Sequence, residues 1–90
     1  MKTIYKYTLQ IGYINEILMP RNSDVIKFDI QSNECCIWAI VDSNSIQETR
    51  SFSILGTGWE IKENMKYIDT ILNGPFVWHL FEHTKSDIWY

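Results

Sequence analysis

The sequence predicts a mainly β protein: a compact antiparallel sheet, sandwich or partly open barrel of about six or seven strands, with little helix. Two observations carry this. Apolar side chains recur with a period of two along most of the chain, the spacing that places alternate residues on opposite faces of a strand. The apolar runs are also separated by short groups of Asn, Ser, Gly, Asp and Pro, the residues that tight turns select. Ninety residues suffice for one core and not for two, so 1–90 is expected to form a single domain.

From the N-terminus, residues 3–9 alternate, sending Tyr5, Tyr7 and Leu9 to one side. Residues 13–19 are rich in strand formers and stop at Pro20, ahead of a turn-like Arg21-Asn22-Ser23-Asp24. In residues 25–31, Ile26, Phe28 and Ile30 are expected on one face, opposite Val25, Lys27, Asp29 and Gln31. The continuous apolar run Cys35 to Val41 reads as the centre of the sheet, covered on both sides. Residues 49–55 resume alternation and end at Gly56-Thr57-Gly58; residues 59–64 read as a loop or a short helical turn.

Residues 66–72 and 76–82 flank Asn73-Gly74, a favoured hairpin dipeptide. Pro75 lacks an amide, which points to a loop longer than two residues. Alternation then puts Tyr67, Ile71, Phe76, Trp78 and Leu80 on one face, and Ile68, Leu72, Val77, His79 and Phe81 on the other. A hairpin apolar on both faces must be sandwiched in the fold, covered by another subunit, or line a ligand cleft.

Composition narrows the function. Eight basic against eleven acidic side chains give a net charge of −3, which offers no attractive field to a phosphate backbone and argues against general nucleic-acid binding. No apolar run approaches the ~20 residues of a membrane-spanning helix and no secretory leader is visible, so a cytoplasmic protein without membrane attachment is expected. Cys35 and Cys36 are adjacent and would point to opposite strand faces, which suits buried reduced thiols rather than a disulfide. His79 and His83 have helix-type metal spacing, yet a strand would hold them about 13 Å apart. No nucleophile elbow or paired carboxylate appears, so neither an enzyme nor a cofactor is expected.

Gly56-Thr57-Gly58 has two readings. It is a turn or bulge closing a strand, or a loop whose amides approach a phosphate. In the second case Arg50 and Lys62 are the nearest cations in sequence, and Trp59 is placed to stack on a base. Arg50, Thr57, Gly58, Trp59 and Lys62 are therefore the candidate ligand-binding residues. Residues 84–90 end in Ile88-Trp89-Tyr90, too apolar for a solvated terminus, so this tail is expected to pack on the domain or a partner, with Trp89 and Tyr90 as partner-binding candidates.

The chain opens with Met1-Lys2-Thr3-Ile4-Tyr5-Lys6-Tyr7 and continues through Met19-Pro20, Trp38-Ala39-Ile40-Val41-Asp42, Glu48-Thr49-Arg50, Gly56-Thr57-Gly58 and His79-Leu80-Phe81-Glu82. In this order it resembles an uncharacterised family of small proteins encoded by phages and prophages, over almost its whole length. The aromatic tail is the main departure. The resemblance brings no catalytic residues. It implies a protein that antagonises host defence by binding, either sequestering a small anionic ligand such as a cyclic nucleotide signal or, like an anti-CRISPR, blocking a host defence protein. A homo-oligomer is expected in either case.

Overall fold

A computed structural model describes residues 1–84. It contains seven strands: β1 Lys2–Leu9, β2 Asn15–Pro20, β3 Asp24–Gln31, β4 Glu34–Asp42, β5 Gln47–Gly56, β6 Met65–Asn73 and β7 Phe76–His83. All pairings are antiparallel, within a three-stranded sheet of order β1-β4-β3 and a four-stranded sheet of order β2-β5-β7-β6. The described chain measures 40 × 39 × 16 Å, as two stacked sheets about 10 Å apart require. The fold is a sandwich rather than a closed barrel, and among the described residues no helix is long and apolar enough to cross a membrane.

Alternation builds the core. Leu9, Phe28, Ile37, Ala39 and Val41 from the first sheet meet Met19, Phe52, Ile54 and Leu80 from the second, each at most 3% exposed. β4 is the central strand of its sheet as expected, but it is not covered on both sides. Its inner residues are buried, whereas on the outer face Trp38 is half-buried and Ile40 is exposed. Cys36 is the exception on that face, buried beneath a 2.8 Å hydrogen bond from Lys6 Nζ to Gln31 Oε1. Both thiols are free and buried, and burial pushes the Cys35 thiol up, with Cys36 adding to the shift. Iodoacetamide is therefore expected to leave both unlabelled in the native protein and to label both in urea, as read by mass spectrometry.

Three features of register depart from simple alternation. A bulge at Ile26 lets Val25 face Ala39 in the core and leaves Ile26 exposed, reversing the expected faces for that pair. The β6–β7 loop is the two residues Gly74-Pro75, not a longer one, because Asn73 pairs directly with Phe76. Gly74 supplies the positive φ of 59° that the first turn position needs, and the fixed φ of proline suits the second, where no amide is required. The third feature is a bulge at Ile68, between Tyr67 paired with Phe81 and Asp69 paired with Leu80. It sends Ile68 to the core and moves Tyr67 to the face of His79 and Phe81.

β5 and β6 both run antiparallel to β7, so they are parallel to each other and residues 57–64 must return past β7. The return distance is five residues of β7, about 17 Å. Eight residues cross it extended, whereas as a helix they would reach only about 12 Å. Geometry thus makes this segment an open crossover. It lies against the outer face of the four-stranded sheet, which is why Ser53 and Phe81, both on that face, are only 6% exposed.

Candidate functional site

The crossover begins with a tight turn in which the Trp59 amide donates to the Gly56 carbonyl, with Gly58 at φ 91°. A positive φ there needs glycine. Gly56 has a different role: a Cβ on it would lie 3.0 Å from two indole atoms of Trp59. The indole packs onto the bare Gly56 and stands edge-on to Trp78 at 5.9 Å, and Trp78 stacks on Phe76. Gly56-Thr57-Gly58 is therefore a turn that seats a tryptophan, and the amide that follows it, that of Trp59, is already engaged.

Between crossover and sheet lies a cleft of about 380 Å³, walled by Thr57, Trp59, Ile61, Tyr67, His79 and Phe81. Tyr67 meets Phe81 edge-on at 5.7 Å. Across the floor runs a chain of hydrogen bonds: Tyr67 Oη to Thr70 Oγ1 at 2.6 Å, Thr70 Oγ1 to His79 Nδ1 at 2.9 Å, and His79 Nε2 to Thr57 Oγ1 at 2.9 Å. A second cleft of about 210 Å³ shares Trp59 and holds Lys62, Glu60, Tyr13 and a Ser53 Oγ to His83 Nε2 contact of 2.6 Å.

Thr57, Gly58 and Trp59 thus share one cleft and Lys62 joins Trp59 in the next. Arg50 joins neither. It stands six residues before Gly56 on β5, about 20 Å away. There Nε donates to Glu82 Oε2 at 2.7 Å, Nη2 to Glu82 Oε1 at 2.8 Å, and Nη1 to the Ser23 carbonyl. The bond to Glu82 is the main cause that holds the guanidinium above its ordinary pKa. The depression around Arg50 is the larger, about 460 Å³, yet Glu48 and Glu82 face Arg50 and Lys66 in it, so it offers no net positive field.

Arg50 instead ties the β2–β3 corner to β7. Arg50→Ala is expected to cost about 1–3 kcal/mol, discounted for partial exposure, because it strands a carboxylate and a carbonyl. Urea unfolding measures this.

Trp89 and Tyr90 lie outside the described residues. Among the described residues no group of three His, Cys, Asp or Glu side chains is placed to hold a metal. Tyr67, Thr70 and Phe81 are site residues that sequence reasoning did not single out, and it weighed His79 only as a metal ligand; His79 and Phe81 shared a face in the alternation, but the bulge that brings Tyr67 to them left no mark there. A family model described as a domain of unknown function, DUF7352, matches residues 1–89. The chain belongs to this family. It accounts for nearly the whole chain, in keeping with the resemblance to an uncharacterised family. No curated protein and no solved structure matches the chain.

Proposed function

We propose that the protein is a non-enzymatic binding protein that sequesters a small anionic ligand carrying an aromatic ring, with a cyclic nucleotide as the type case. The observation that carries this is the position of Trp59, whose indole borders both the aromatic cleft and the neighbouring cleft that holds Lys62. The ring would stack against Trp59 and Tyr67, and the anionic group would reach Lys62. The resemblance to phage and prophage proteins supports a role against host defence signalling, in a host cytoplasm.

Calorimetric titration with a panel of cyclic nucleotides tests the reading. Binding tighter than about micromolar is expected for at least one of them. Lys62→Ala should weaken it about tenfold, the worth of one charge-assisted hydrogen bond. A panel without binding in that range removes the proposal.

A second reading, a protein inhibitor that blocks a host defence protein, is favoured by the exposed Tyr13, Ile14 and Ile61 that rim the same clefts. Self-association through the exposed hairpin residues Leu72 and Phe76 belongs to either reading, and sedimentation velocity would show it as a dimer or larger species.

A further inference from the structure

The hydrogen-bond chain on the cleft floor has a property that none of its members has alone. Tyr67, Thr70 and Thr57 each carry one hydroxyl proton, and an imidazole in its neutral form carries one, making four protons for three bonds. Three fully bonded arrangements exist, and two of them leave the surplus proton on an end of the chain. If Nδ1–H donates to Thr70, Thr57 donates to Nε2, and either Thr70 donates to Tyr67, leaving the Tyr67 hydroxyl free to donate outward, or Thr70 accepts from both neighbours and keeps the surplus proton. If instead Nε2–H donates to Thr57, Thr70 donates to Nδ1, Tyr67 donates to Thr70, and the free donor is the Thr57 hydroxyl. Both end groups, Thr57 and Tyr67, line the cleft, while Thr70 stands behind them.

Building on the ligand-binding reading above, we infer that these four residues act as one tautomerisable relay, giving the cleft one donor and one acceptor whose order inverts with the His79 tautomer. The ligand chemistry this suits is a heterocycle that carries a donor and an acceptor a ring-width apart, in either order, as purine bases do. The aromatic walls hold the ring face, and the relay matches the edge. No charged side chain among the described residues lines this cleft; Lys62 and Glu60, on the crossover, line the next one. Tyr67 is the other titratable group facing the imidazole, with uncharged Leu55 beside it on β5 and Phe81 on β7.

The test reads the tautomer from the imidazole 15N chemical shifts, with His83 as an internal control. Tyr67→Phe removes the far end of the relay without touching His79. Thr70 then has only Nδ1 to donate to, so the His79 population is expected to shift to the Nε2–H form. An unchanged His79 spectrum overturns the relay. Cyclic AMP and cyclic GMP present the donor and acceptor in opposite order and are expected to leave opposite His79 tautomers. The same tautomer with both overturns the edge reading. Binding of neither nucleotide overturns the proposed function, while the Tyr67→Phe result still decides the relay.

Discussion

Trp59→Ala is expected to lower nucleotide affinity about 10- to 100-fold, since stacking of one base on an aromatic side chain contributes roughly 1–3 kcal/mol. The melting temperature should fall by only a few degrees, because the indole is 48% exposed and packs at the margin of the core. Gly56→Val should reproduce the binding loss from the other side. Its side chain would occupy the space of the indole atoms that already stand 3.0 Å from a Cβ, and the tryptophan would have to leave its seat. Calorimetry and thermal melts on both variants separate loss of the site from loss of the fold.

Phe52→Ala should do the opposite. Phe52 is fully buried on the inner face of β5, between Asn15 of β2 and Glu82 of β7, with the Arg50 guanidinium 5.7 Å from its ring centre. Truncation leaves a cavity where the two sheets meet and should cost about 3–5 kcal/mol. That is a large part of the ~5–15 kcal/mol that stabilises a domain, and a small one has little reserve. Urea unfolding should show a much lower midpoint, and if the variant still folds its ligand affinity should stay close to that of the parent, because Phe52 lies across the sheet from the cleft.

The fold was legible where period and turn residues agree. Tyr5, Tyr7 and Leu9, the break at Ser32-Asn33, and the hairpin around Gly74 all follow from local chemistry. Ser32 and Asn33, with φ of 53° and 63°, make a tight two-residue turn between β3 and β4, the polar break between their apolar runs. Register was less legible. The bulges at Ile26 and Ile68 each insert one residue against a partner strand, and only the pairing of two distant segments decides where the slip occurs. The second bulge determines whether Tyr67 joins the core or the cleft, so half of the site depended on something alternation cannot encode.

The candidate site was legible for similar reasons and to a similar extent. Thr57, Gly58, Trp59 and Lys62 are close in sequence and stay close on the crossover. Arg50 is also near in sequence, but an extended strand carries six residues about 20 Å, and a carboxylate 32 positions away claims it. Proximity in sequence locates a loop residue better than a strand residue, because a strand converts each position into distance.

The central claim is that Trp59 is where ligand binds, and its indole N–H resonance reports on this directly. In a two-dimensional proton–nitrogen spectrum, saturating cyclic nucleotide is expected to shift the Trp59 indole signal strongly and the Trp78 signal, one ring away at 5.9 Å, less. Trp38, on the outer face of the other sheet, should not move. A spectrum in which the nucleotide leaves Trp59 in place, or moves Trp38 instead, would contradict the account.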